Sequence, residues 1–172
     1  MKVFGVVGWK DTGKTGLMER LVAEIVSRDL SVSTVKHAHH SFDIDRPGKD
    51  SYRHRASGAT EVLLASARRW ALMSELRDAP EPTLEMMLAR LSPVDLVLVE
   101  GYKRDRHLKI ETHRAEVGTP LIATDDPSVL AVASDTSHPG LNKPVFHIDA
   151  IDAIADFVLR SVGLRSAMAS DR

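Results

Sequence analysis

The chain of 172 residues, 43% of them hydrophobic, suits one domain with a proper core and leaves too little length for a second. A formal net charge of −1 carries no electrostatic footprint for nucleic acid or anionic lipid, and the absence of cysteine excludes disulfides, thiolate metal sites and cysteine nucleophiles. The first apolar run starts beside Met1 and none approaches the roughly 18 residues of a membrane span, so a cytoplasmic chain without a leader is expected, with no nucleic acid or membrane as partner.

In chain order, residues 2–7 form a β-branched run that reads as a buried strand. Gly8-Trp9-Lys10-Asp11-Thr12-Gly13-Lys14-Thr15 follows, matching Gly, any four residues, Gly, Lys, then Ser or Thr. Such a loop converges backbone N–H groups on a phosphate chain, with no side chain in the way at either glycine. Lys14 then faces the β- and γ-phosphates, Thr15 offers a hydroxyl to Mg²⁺, and the next helix adds its positive end. That helix is marked by Leu17, Met18, Leu21, Val22, Ile25 and Val26 at helical spacing.

A second strand over 30–36 ends in Lys36-His37-Ala38-His39-His40. Loops leaving the carboxyl ends of parallel strands collect ligands, so this cluster is a candidate cofactor or partner loop together with Lys49. With Asp43 and Asp45 it admits three readings: a transition-metal site, phosphate or switch chemistry, or a plain solvated loop. Residues 43–51 carry a Pro-Gly turn and lead into a short helix over 50–56, a candidate switch segment. Residues 61–66 and 70–74 read as a hairpin, with Trp70 a packed strand aromatic. Thr83 can cap a helix whose Leu84, Met87, Leu88 and Leu91 form a core face.

The run 94–99 is nearly continuously apolar, as a central parallel strand requires, and ends in Glu100-Gly101. A carboxylate there lies at the same end of the sheet as the phosphate loop. Thr15, Asp43, Asp45 and Glu100 are the candidate Mg²⁺ ligands, and Glu100 and Asp45 the candidate catalytic carboxylates. Further strands are expected over 108–111, 120–124, 129–133 and 145–148. A last helix capped by Asp149 follows, and a flexible polar tail over 164–172. Asn142-Lys143-Pro144-Val145 begins like a guanine motif but has Val145 in place of the acceptor aspartate. Asp125, Asp126 and Asp135 are read as acids on the ligand edge. No arginine is fixed on the loop by the pattern. The fold class is therefore α/β, a P-loop NTPase fold with a mostly parallel sheet, helices on both faces and a β-hairpin, in one domain over 1–163.

Several blocks together are specific: the phosphate loop, Val35 to His40, Asp43 to Tyr52, Trp70-Ala71-Leu72-Met73 and Asp95 to Lys103. In these the chain resembles the molybdopterin-guanine dinucleotide biosynthesis accessory protein B family. The resemblance implies a homodimeric GTP-binding adapter of the SIMIBI branch, with Mg²⁺ and at most slow GTPase activity. It also implies that the adapter assists the molybdenum cofactor guanylyltransferase and delivery to molybdoenzymes, with molybdopterin a candidate bound ligand. One departure stands out, since relatives in the branch with a deviant Walker motif carry an extra lysine where this chain has Trp9. A metal-insertion GTPase, a small-molecule kinase and a non-hydrolysing interaction module are the competing classes.

Overall fold

The computed structural model describes residues 1–38 and 43–164. These gather into two units, one of residues 1–37 and 84 onward, the other of residues 38–83. No composition break in the sequence marks the second unit.

The first unit is built on six strands. They are β1 (Lys2–Val7), β2 (Val32–Lys36), β5 (Leu96–Glu100), β6 (Lys109–His113), β7 (Val129–Ser134) and β8 (Val145–His147), in the spatial order β2-β5-β1-β6-β7-β8 with every pair parallel. All their carboxyl ends therefore lie on one edge. Side chains alternate across a strand, so β1 sends Phe4 and Val6 to one face and Val3 and Val7 to the other, while β5 divides Leu96 and Leu98 from Val97 and Val99. The first face is covered by α1 (Lys14–Ser27) and α4 (Ile151–Ser161) through Leu17, Leu21, Ile25, Ile154, Val158 and Leu159, all at most 2% exposed. The opposite face packs α3 (Leu84–Leu88) on Val97 and Val99, and a 3-10 turn (Ile122–Thr124) on Val7 and Val132.

Four details differ from the pattern-based expectation. Residues 120–124 form no strand; Ile122–Thr124 make that turn, because the buried Glu111 carboxylate accepts the N–H groups of Ile122 (2.9 Å) and Ala123 (2.7 Å) at the turn's start. The α3 helix stops at Leu88, with Leu91 still packed on the core. Asp149 caps nothing; Ala150 is the N-cap of α4, and Asp149 pairs instead with Arg20 at 2.7 Å. Leu164 is no part of a loose tail. Gly163 takes φ 72°, the Leu164 N–H reaches Leu159 O at 2.9 Å, and its side chain joins the core, the hydrophobic closure of a Schellman end. The rest of the expected tail lies outside the described residues.

The second unit contains α2 (Asp50–Ala56) and the antiparallel pair β3 (Glu61–Ala65) and β4 (Trp70–Ser74). Arg55 ties it together by pairing with Asp43 (2.9 Å), Asp45 (3.6 Å) and Glu75 (2.7 Å). Val62 is buried on one face of the hairpin. By register Leu63, Leu72 and Trp70 share the other, and Trp70 is 67% exposed where a packed aromatic is expected from sequence. Two strands have too little area to bury both of their faces.

Candidate nucleotide site

Gly8 leaves β1 at φ 152°, and a methyl added there would stand 2.5 Å from Thr112 Oγ1 and 2.6 Å from Thr12 Oγ1. Only a residue without Cβ lets β1, β6 and the returning loop approach this closely. Thr12, fully buried, locks the loop by donating to Trp9 O at 2.8 Å and meeting Thr112 Oγ1 at 2.9 Å. Gly13 takes φ 93° and hands the chain to α1, so the loop closes onto a helix N-terminus.

Lys14 Nζ donates back to Trp9 O. Burial holds the Lys14 ammonium below its ordinary pKa, and the charges of Lys103 and Lys36 push the same way, against Glu100 and Asp11. Thr15 Oγ1 donates to Glu100 Oε1 at 3.4 Å, and Lys36 Nζ lies 3.1 Å from that same oxygen. This meeting follows from register, because Glu100 sits opposite Lys36 on one side and Val6 on the other. Next to it, the His37 N–H reaches Glu100 O at 2.9 Å, and the His37 ring stacks at 4.8 Å on Tyr102.

Of the sequence-predicted residues, Gly8 to Thr15, Lys36, His37 and Glu100 therefore share one edge of the sheet. Asp43, Asp45 and Lys49 belong to the second unit, where Arg55 engages both carboxylates and Ser51 Oγ donates to Asp45 at 2.9 Å. His39 and His40 lie outside the described residues. Among the described residues no group of three or more His, Asp or Glu side chains is arranged to hold a metal ion. The chemistry of the donors still fits Mg²⁺ bound with a phosphate, since a threonine hydroxyl and a nearly buried carboxylate converge and the ion keeps several waters.

Sequence reasoning missed two groups. A methyl at Gly13 would stand 3.7 Å from Arg114 Nε, so an arginine does flank the loop, held by Asp135 at 3.6 Å. Lys103 Nζ sits 4.2 Å over the Trp9 ring, whose indole N–H donates to Pro120 O at 2.8 Å. Lys103 follows Glu100 by three positions, but nothing local says that the two loops meet. Asp126 is misread from sequence. It precedes β7, on the opposite edge, where it binds Ser128 and the buried Lys109. Lys143, from the failed guanine motif, donates to Ala123 O (2.6 Å) and Asp126 O (2.8 Å) and so fixes the 3-10 turn. Asp135 follows β7, at the same edge of the sheet as the glycine loop; the Ala115 N–H (3.0 Å) and then Arg114 hold its carboxyl below the usual range.

A parallel sheet whose first strand turns through a glycine loop into a helix, with an acid at the end of the neighbouring strand, is the P-loop NTPase fold. Residues 3–135 match the family model described as "MobB: Molybdopterin guanine dinucleotide synthesis protein B", and the chain belongs to that family. It is 40% identical over 160 residues to the molybdopterin-guanine dinucleotide biosynthesis adapter protein of Haemophilus influenzae, covering 91% of this chain and 86% of that one. The adapter protein of Escherichia coli is 40% identical over 154 residues, covering 88% and 87%. The crystal structure of a MobB homolog from Bacillus stearothermophilus superposes with a TM-score of 0.71 at 29% identity, over 96% of this chain and all of that one.

Proposed function

We propose that the chain is a GTP-binding adapter in molybdopterin guanine dinucleotide biosynthesis that binds GTP with Mg²⁺ at residues 8–15 and turns it over slowly. Its part in that biosynthesis rests on family membership and on relatives of that name. The observation that carries the nucleotide reading is the meeting of Thr15 with Glu100 beside the glycine loop. Thr15 would hold the ion directly and Glu100 through water. When bound, Mg²⁺ neutralises charge between the β- and γ-phosphates. Lys14 exchanges Trp9 O for phosphate oxygen, and the N–H groups from Gly13 onward face the chain of phosphates. Asp135, kept ionised at the same edge, is the acceptor we assign to the guanine N1–H and amino group.

Slow turnover follows from the state of Glu100. A carboxylate already paired with Lys36 is a poor base for water, and Arg114 is held by Asp135 beside Gly13. A partner that rearranges these pairs would supply the missing activation, and such a cation is worth roughly 10³ to 10⁵ in rate. We assign that role to the guanylyltransferase or a molybdoenzyme. Lys36 and His37, at the end of β2, are proposed to meet the molybdopterin-bearing partner, and the bare hairpin face of Leu63, Leu72 and Trp70 is proposed to close a homodimer.

Calorimetric titration with GTP and ATP, with and without Mg²⁺, tests the reading. GTP should bind in preference to ATP, and Lys14→Ala should weaken it at least tenfold, about 1.4 kcal/mol, without loss of fold. Unchanged GTP affinity in folded Lys14→Ala would remove the loop from the site. Phosphate release above about 1 s⁻¹ from the chain alone would instead mark a self-sufficient enzyme.

A further inference from the structure

We propose that Lys103 is a second phosphate-binding cation of this site, docked on the Trp9 indole, and that it distinguishes a nucleoside triphosphate from a diphosphate. The inference rests on the nucleotide reading above and adds a residue to it.

Trp9 is held from three sides. Its indole N–H donates to Pro120 O at 2.8 Å, and its carbonyl accepts both Thr12 Oγ1 and Lys14 Nζ. The segment bearing Pro120 is itself pinned to the sheet by Glu111 and Lys143. A tryptophan fixed in this way yet 38% exposed is a platform, and its ring carries the Lys103 ammonium at 4.2 Å. That distance lies well inside the range of about 6 Å over which a ring face attracts a cation. Lys103 leaves β5 immediately after Tyr102, whose φ of 51° turns the chain sharply.

The charges around the loop are unbalanced. Lys14, Lys36 and Lys103 converge there, while the buried Glu100 carboxylate is already taken by Lys36 at 3.1 Å. Among the described residues Lys103 has no carboxylate partner, and its charge is felt at Lys14 as a repulsion. Clustered ammonium groups repel one another until a polyanion joins them. Docking on the indole lowers the entropy lost when Lys103 binds, which favours its use as a preset contact.

Sheet order indicates which phosphate is met. The loop strand β1 lies between β5 and β6. Arg114 and Asp135, the proposed nucleoside side, leave β6 and β7, whereas Glu100, Lys36 and Lys103 leave β5 and its outer neighbour β2. A phosphate chain running from the first side to the second ends at the lysines, so its terminal group is the one Lys103 meets. A diphosphate lacks that group.

Calorimetric titrations of GTP and GDP against the parent, Lys103→Met, Lys103→Arg and Trp9→Leu separate this role from mere packing on Trp9. Lys103→Met should weaken GTP about tenfold and GDP less than about threefold, so that discrimination between them falls. Lys103→Arg should keep most of the discrimination, because a guanidinium also docks on an indole. Trp9→Leu should lose part of it with the lysine still present. GTP affinity within twofold of the parent in Lys103→Met, or an equal loss for both nucleotides, would overturn the proposal. A parent that binds neither nucleotide would sink the nucleotide reading and this inference together; a binding parent indifferent to Lys103→Met sinks this inference alone.

Discussion

Glu100 is the residue on which most of the site's behaviour turns, because one of its oxygens serves two partners. Oε1 receives the Thr15 hydroxyl and faces the Lys36 ammonium, in a residue only 8% exposed. Removing its charge leaves Lys36 unbalanced, but that side chain is 59% exposed, so the stability lost is less than about 1 kcal/mol. The larger consequence is functional. Glu100→Gln keeps the shape and one acceptor oxygen, yet under the proposed reading it would order water around Mg²⁺ less well. Magnesium should then strengthen GTP binding far less than in the parent, with Mg²⁺-free affinity little changed. Identical Mg²⁺ titrations for parent and variant would move the metal shell elsewhere. Glu111 makes a contrast at the same scale. Burial pushes its carboxyl up while two backbone N–H groups oppose the shift, and those bonds show its work to be the building of the 3-10 turn.

At the scale of elements, the hairpin is the piece whose chemistry and setting disagree. Its two strands are apolar at nearly every position, and Val62 is buried. Leu63 and Trp70 nevertheless remain 62% and 67% exposed on the other face. A flat apolar face of this kind is a surface for association. If it closes the proposed homodimer, Leu63→Ser with Trp70→Ser should raise the dimer dissociation constant at least tenfold, about 1.4 kcal/mol, by sedimentation equilibrium. An unchanged molecular mass over the same concentrations would place the dimer surface elsewhere. The α1 helix shows the opposite case. Leu17, Met18, Leu21 and Ile25 of its stripe are buried against β1, β5 and α4 while Val26 stays exposed, and Arg28 binds Glu24 of its own helix and Asp156 of α4.

For the molecule as a whole, the site occupies one edge of the sheet and a buried polar cluster the other. At that second edge both ring nitrogens of His107 are buried with no hydrogen-bond partner among the described residues, against Gly5 and near Lys109. Burial first, and then the Lys109 charge, lower its pKa from 6.5 to about 4. Between those values the unfolded chain takes up a proton that the folded chain refuses, so stability rises with pH across the window. The fold is at full strength above about 6.5 and weakens as pH falls toward 4. Carboxylates held low, Asp43, Asp95, Asp126 and Asp135, add their own losses only below their ordinary 3.8. Melting temperatures should therefore drop between pH 7 and pH 5 in the parent and drop less in His107→Leu. Parallel profiles for the two proteins would acquit the histidine.

What was legible in the sequence was local or periodic. The β1 run, the loop from Gly8 to Thr15 and the α1 stripe lie within 26 consecutive residues, so spacing alone shows strand, phosphate loop and helix. The run ending in Glu100 announces a central strand because only a strand covered on both faces is apolar throughout. Periodicity does not state strand order, and the site depends on it. β5 beside β1 brings Glu100 to Thr15 across 85 positions, and Pro120 receives the Trp9 indole across 111. The 3-10 turn is not legible in the sequence because its cause, the Glu111 carboxylate, comes from another element. Trp70 read as core because an apolar strand face looks the same in sequence whether or not anything covers it. Sequence by itself determined that a phosphate loop is present; tertiary structure decided which acid and which second lysine stand beside it, because those meetings are made by parallel pairing between strands distant in the chain.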